Sequence, residues 1–365
     1  MAMAQYKSIF ETLREEIQKG VYLDRSRFPS DHELARRFHA GRQTVYQAVS
    51  KLQDCGLVRR ERGSGTYLTR VARKKSGAIA VIVPSFPKVE IFPVICKELS
   101  CICREQNRLF VYVDDGADSV RTVKRSMRST VERLVDQGVS GVIFRPVDYQ
   151  KDSEAINREI ISTLRAADIP LVLIDCDVSE GADRAGLDLV GVDNLAVGGL
   201  LGEHAVSCGA RRVAYVYRAM SSANVDHRLL GIRTALEKSG KARLVGTCPY
   251  SEEGGGWRKW FRRTKPDAIL CSGDIVAAKV MKTVQDIGLR IPEDVIVAGV
   301  DDVEIASMTR PSLTTVRQPC ADIASAAFDL LEWRVLNPDA VARKLLLRTK
   351  LVVRESTRKK ERDKP

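Results

Sequence analysis

The sequence predicts an α/β protein in two unequal parts: a small helical head ending in a hairpin, then a body of two subdomains built on doubly wound parallel sheets. Three observations carry this. From Ala78 onward, short apolar runs alternate with amphipathic stretches of helical period, the pattern of parallel strands joined by right-handed crossovers. These repeats are too many for one comfortable sheet. Before Ala78 the pattern differs: three helical stretches are followed by a glycine-rich turn flanked by arginines. The expected extents are 1–70 for the head, 71–77 for a basic linker, 78–355 for the body and 356–365 for a basic tail.

In the head, Ile9, Phe10, Leu13 and Ile17 form one apolar stripe on a helix over Tyr6–Lys19. Ser30 and Glu33 have capping-box spacing, so a helix should start at Asp31 and reach Phe38. His39-Ala40-Gly41 breaks it, with glycine supplying the turn. A second helix, about Arg42–Cys55, buries Val45, Ala48, Val49 and Leu52 at three- and four-residue steps, and Gly56 ends it. Arg42, Gln43, Tyr46 and Gln47 lie off the buried face. Leu57–Glu61 and Thr66–Leu68 flank the Gly63-Ser64-Gly65 turn as a two-stranded wing carrying Arg59, Arg60 and Arg62. Two helices at a tight turn, the second opening with polar side chains, can enter a DNA major groove. Arginine and glutamine suit guanine and adenine edges there.

Charge placement agrees. Of a net +12, residues 1–75 hold 16 Lys/Arg against 8 Asp/Glu, and residues 354–365 hold 6 against 3. The middle is nearly neutral, so polyanion binding should be local to the head. Nine cysteines and four histidines show no metal-ligand spacing, Cys101-Ile-Cys103 being the only close pair. No metal or cofactor is expected. No stretch reads as a signal peptide or a membrane span, so a cytoplasmic protein with reduced thiols is expected.

In the body, strands are expected at Ala78–Val83, Leu109–Asp114, Gly141–Arg145, Leu171–Asp175, Leu189–Val192, Arg212–Tyr217, Ala242–Gly246, Ala268–Cys271 and Val295–Val300, with helices between them. In such sheets ligands bind beyond the carboxyl ends of the strands. Phe86, Asp175, Arg228, Asp274 and Asp301 fall at such places, with Asp114, Asp115, Ser272 and Asp302 beside them. Carboxylates accept from hydroxyls, arginine donates in a fork and a ring packs on a sugar face, so a polyhydroxylated ligand fits. Taken singly, such an aspartate is more often a helix cap, and Asp175, Asp193 and Asp274 keep that reading. Nucleotide-binding glycine fingerprints and a nucleophile elbow are both missing, and no nucleophile–base pair can be pointed to. An enzyme or a sugar-binding protein on the same fold is the alternative to a regulator.

Two resemblances sharpen the reading. Pro29-Ser30-x-x-Glu33-Leu34-Ala35, Arg42-x-Thr44-Val45, Gly56-Leu57-Val58 and Gly63-x-Gly65-Thr66 resemble the winged helix-turn-helix of GntR-family regulators. That likeness implies DNA contacts at Arg42, Gln43, Thr44, Arg62 and Gly63. His32 and Tyr46 stand where the family often has arginine, so base preference does not transfer. Val192-Asp193-Asn194, His227-Arg228-Leu229-Leu230-Gly231, Ile291-Pro292-Glu293-Asp294-Val295, Gly299-Val300-Asp301-Asp302 and Pro311-Ser312-Leu313-Thr314-Thr315-Val316-Arg317-Gln318-Pro319 resemble the effector domain of LacI/GalR regulators, itself similar to periplasmic sugar-binding proteins. This implies effector contacts at Arg228, Asp301, Asp175 and Gln318. It also implies chain crossings between subdomains near Leu189, Gln318 and Thr349. The pairing is similar to the arabinose-type regulators. It implies a homodimeric repressor that binds operator DNA and responds to a small ligand, a sugar.

Overall fold

The computed structural model describes residues 2–18, 21–22, 27–61, 63–69, 77–84, 91–113, 120–148, 152–178, 186–250 and 256–358. Most of the expected linker and of the basic tail lies outside these residues.

The head contains α1 (Ala2–Gln18), α2 (Asp31–Arg37), α3 (Arg42–Asp54) and the antiparallel pair β1 (Val58–Glu61) and β2 (Gly65–Leu68). The capping box is formed. The Glu33 amide donates to Ser30 Oγ at 3.2 Å and the Ser30 amide donates to Glu33 Oε2 at 2.7 Å. Leu13 and Ile17 of α1 pack with Leu34, Val45, Val49 and Leu52 in one buried cluster. The turn between α2 and α3 differs from expectation. His39 takes the left-handed conformation, at φ 47°, while Gly41 is the extended N-cap of α3 at φ −61°. The reversal therefore comes at the end of α2, where a single left-handed residue stops a helix. Gly63 and Gly65, at φ 77° and 131°, turn the wing where side chains would be strained.

Among the described residues the body holds two six-stranded sheets. The first is built from β3 (Ile79–Ile82), α4 (Phe92–Glu105), β4 (Phe110–Val113), α5 (Val120–Asp136), β5 (Gly141–Phe144), α6 (Ser153–Ala166), β6 (Leu171–Ile174) and β7 (Asp188–Val192). The chain then crosses to the second subdomain. That comprises α7 (Asn194–Ser207), β8 (Arg212–Arg218), α8 (Asn224–Ser239), β9 (Arg243–Tyr250), α9 (Gly256–Thr264), β10 (Ala268–Cys271), α10 (Asp274–Asp286), β11 (Ile296–Asp301), α11 (Glu304–Met308) and β12 (Thr314–Arg317). It crosses back into α12 (Cys320–Leu336) and β13 (Lys344–Leu347), then again into β14 (Lys350–Val352).

The strand orders are β13-β7-β6-β5-β3-β4 and β14-β12-β11-β10-β8-β9, parallel throughout except for β14 against β12. The runs IAVI, GVIF, LVLI and AILC are buried along their whole length, because helices cover both faces of a parallel sheet. The three crossings fall beside Asp193, Gln318 and Thr349. In each sheet the order reverses at the first strand, β3 or β8, so a crevice opens beyond the carboxyl ends there.

Candidate functional site

Strand ends from both sheets converge on one cavity of about 70 Å³. Its lining includes Arg145 after β5, Asp175 after β6, Arg228 in α8, Ser272 after β10, Asp301 at the end of β11 and Gln318 after β12. A larger crevice of about 390 Å³ adjoins it and shares Asp175, Ser221, Ser222 and Asn224. Together the two reach the size of ordinary small-molecule sites, which start near ~300 Å³.

Arg228 is buried. Its Nε donates to Asn194 Oδ1 at 2.7 Å and its Nη1 to the Ser272 carbonyl at 2.5 Å. Gln318 Nε2 donates to Asp301 Oδ1 at 2.7 Å. Burial pushes the Asp301 carboxyl up to about 6, against the opposing Arg228 charge and the Gln318 hydrogen bond. Asp175, Asp301 and Asp302 take φ of 74°, 112° and 57°. A positive φ is strained for an aspartate, and such strain gathers at functional sites.

Across the crevice, Arg145 donates through Nη1 and Nη2 to the two Asp148 oxygens at 2.5 and 2.6 Å, and its Nε lies 3.5 Å from Asp175 Oδ2. Burial pushes Asp148 up while the guanidinium opposes it. Arginine forks and carboxylates thus alternate around the space. A neutral ligand with many hydroxyls can both accept and donate there.

Of the residues expected from sequence, Arg228, Asp301, Asp175 and Gln318 come together. Phe86 lies outside the described residues. Asp274 does not reach the cavity. It is fully buried, accepting from Thr315 Oγ1 at 2.6 Å and from the Val303 amide at 3.1 Å, and so it anchors the loop after β11 to β12. Asp193 is a cap, accepting from the Ala196 amide at 3.0 Å. Among the described residues Asp175 caps no helix; its carbonyl and Oδ1 accept from Asn224 Nδ2 at 3.1 and 3.2 Å.

On the head, Arg42, Gln43, Tyr46 and Gln47 are exposed and Thr44 is half-buried, all on the first turns of α3. His32 is exposed on α2 and accepts from Arg36 Nε at 3.2 Å. Gly63 sits at the wing tip; Arg62 lies outside the described residues. Arg60 is not a free wing cation. Its Nη2 donates to both Asp31 oxygens, at 3.0 and 3.1 Å.

Comparison with known proteins matches residues 5–68 to the bacterial regulatory proteins of the gntR family and residues 203–357 to a periplasmic binding protein-like domain. The chain joins a GntR-family head to a periplasmic-binding-protein-like body. The arabinose metabolism transcriptional repressor of Geobacillus stearothermophilus is 25% identical over 98% of each chain. The ribose operon repressor of Haemophilus influenzae is 27% identical over 70% of this chain and 73% of that one. Among solved structures, a transcriptional regulator CelR–cellobiose complex superposes with TM-score 0.65 at 23% identity, covering 86% of this chain and 90% of that one. The transcription regulator CcpA of Lactococcus lactis gives 0.64 at 20% identity, covering 77% and 99%. At that identity the structures speak for the fold.

The cavity and the adjoining crevice of the periplasmic-binding-protein-like body include residues that sequence reasoning missed. Arg145 ends an apolar strand beside the β3 reversal point, and an arginine closing such a run was the available signal. Asn194 and Asn224 stand at helix starts, where asparagine reads as a turn residue.

Proposed function

We propose that the chain is a transcriptional repressor whose GntR-type head binds operator DNA and whose body binds a neutral sugar between its subdomains. The observation that carries this is the cavity itself. Buried arginines and half-buried carboxylates from both sheets line it, at the reversal points of a fold fused to a helix-turn-helix head. Arg228, Asp301, Asp175, Gln318 and Arg145 hold the sugar hydroxyls. Arg42, Gln43, Thr44, Tyr46, Gln47 and His32 face the major groove, with Gly63 and Arg62 at the wing. The named repressors among its relatives support this assignment.

Two copies place two heads on a symmetric operator, since dimer symmetry matches half-site symmetry. Sugar binding favours one arrangement of the subdomains, and so of the heads, by about 1–3 kcal/mol of coupling.

The test screens the full chain by thermal shift against monosaccharides, disaccharides, sugar phosphates and nucleobases, then measures operator binding with and without the hit. A dose-dependent rise in melting temperature with one sugar, together with changed DNA affinity, is expected. A shift only with anionic ligands would refute the neutral-sugar assignment. Arg42→Ala should weaken operator binding by about tenfold or more while sparing nonspecific DNA; an equal loss in both would make Arg42 a phosphate contact.

A further inference from the structure

Arg60 stands on the wing at the point where α2 and α3 meet it. In β1 the side chains alternate. Arg59 turns one way, over the Tyr67 ring at 5.5 Å and paired with Glu61. Arg60 turns the other way, towards the helices. Its Nη2 holds both oxygens of Asp31, the first residue of α2. Its guanidinium carbon lies 4.3 Å from the centre of the Tyr46 ring on α3. One cation therefore ties the wing to α2 by a hydrogen-bonded ion pair and to α3 by a ring face.

The pair changes what each partner can do on DNA. Asp31 neutralises Arg60, so Arg60 is poorly suited to a phosphate. Tyr46 remains 48% exposed with one face covered, and its hydroxyl has no hydrogen bond among the described residues. It lies one helical turn beyond Arg42, on the same side of α3. An aromatic ring has no fork of N–H donors for guanine. What it matches in the major groove is the C5-methyl group of thymine.

We propose that Tyr46 reads a thymine methyl in the operator and that Arg60 is the positioning residue that fixes its ring, with Asp31 fixing Arg60. This rests on the DNA-binding reading above and adds the base chemistry and the residue that enforces it. Without the clamp the ring has free rotamers, and a contact that must be ordered on binding is weaker. Loss of Arg60 should therefore relax base choice at one position of each half-site and leave the number of phosphate contacts unchanged.

The experiment selects bound sequences from a random duplex library with the full-length protein. Each thymine of the selected half-site is then replaced singly by deoxyuridine, which removes only the methyl group. At one position the wild-type protein should lose about fourfold in affinity, the scale of one buried methyl-sized group. Tyr46→Ala, Arg60→Met and Asp31→Asn should each abolish that difference. Asp31→Asn loosens Arg60 without altering ring or strand, and circular dichroism melts check that each variant folds. The slope of log affinity against log salt should be unchanged in Arg60→Met. A slope smaller by about one, with the methyl effect intact, would make Arg60 a phosphate contact and overturn the proposal. A selected site indifferent to every thymine methyl also overturns it, while leaving DNA binding standing. Failure to select any sequence overturns the DNA-binding reading together with this one.

Discussion

Arg228 Nε donates to Asn194 Oδ1 at 2.7 Å, and that bond joins the cavity to the first crossing between the subdomains. Gln318, beside the second crossing, donates to Asp301. Asp302 adds ion pairs to Arg317 at 2.5 Å and to Arg354, beyond the third crossing, at 2.7 Å. A ligand that engages Arg228 and Asp301 thus pulls on groups already bonded to the connecting segments. Arg228→Ala should abolish the ligand response, with at least about a hundredfold loss of affinity, because a buried charged hydrogen-bonding group is worth roughly 2–5 kcal/mol in binding. Operator binding without ligand should persist. Isothermal titration and DNA binding of the same variant check this; normal induction would remove Arg228 from the site.

Asp301 gives the site a pH dependence. Its carboxyl is raised from 3.8 to about 6 by burial, so the folded protein holds that proton more tightly than the unfolded chain. The resulting stability is fully present below pH 3.8 and is lost as pH rises through 6. Ligand binding runs the other way, since the carboxylate accepts from hydroxyls and the neutral acid accepts poorly. Affinity should fall by about tenfold from pH 7 to pH 5. In Asp301→Asn it should be weak and flat across that range. A wild-type profile without an inflection near pH 6 would contradict the assignment.

The Arg145–Asp148 pair should dominate the stability of the first subdomain's end of the cavity. Removing one partner strands a buried charge, so Arg145→Ala should cost about 3–5 kcal/mol, read from denaturant midpoints. Arg145→Met with Asp148→Leu should recover most of that loss, as buried pairs often tolerate apolar replacement, yet it should not recover ligand affinity. Recovery of both would make the pair purely structural.

How far the chain could be read follows from these residues. The parallel strands were legible because buried strands are uninterrupted apolar runs bounded by turns, and α2 because its cap spacing is local. The last elements were not. β13 is the edge sequence KLLL with three of its four residues exposed, and its place beside β7 depends on a crossing that no local signal marks. Asp274 is ambiguous in the sequence because a carboxylate after a strand looks the same whether it meets a ligand, caps a helix or holds a loop amide. Arg145 was overlooked because its charge ends a strand that otherwise reads as core. Spacing can show that a group stands at a strand end, but its partners arrive from elements far away in the chain.

Gly198 and Gly231 show how closely α7 and α8 must approach to bring Asn194 to Arg228. A Cβ on Gly198 would meet the Arg228 carbonyl oxygen at 1.9 Å, and one on Gly231 would meet the Leu195 carbonyl oxygen at 2.0 Å. Both neighbours are backbone, so no side-chain rotation relieves either clash, and the two helices must separate. Gly231→Ala should therefore destabilise the second subdomain by about 1–3 kcal/mol, the usual cost of overpacking. It should also weaken ligand binding, although Gly231 does not line the cavity, because the shift lengthens the Arg228–Asn194 bond. Gly199, beside Gly198 but with nothing within 4 Å of an added Cβ, is the control. Gly199→Ala should match or slightly exceed wild-type stability, since alanine favours the helix by roughly 0.5–1 kcal/mol. Melting curves and ligand titrations of the two variants decide the matter, and equal behaviour would mean that the helix crossing does not position Arg228.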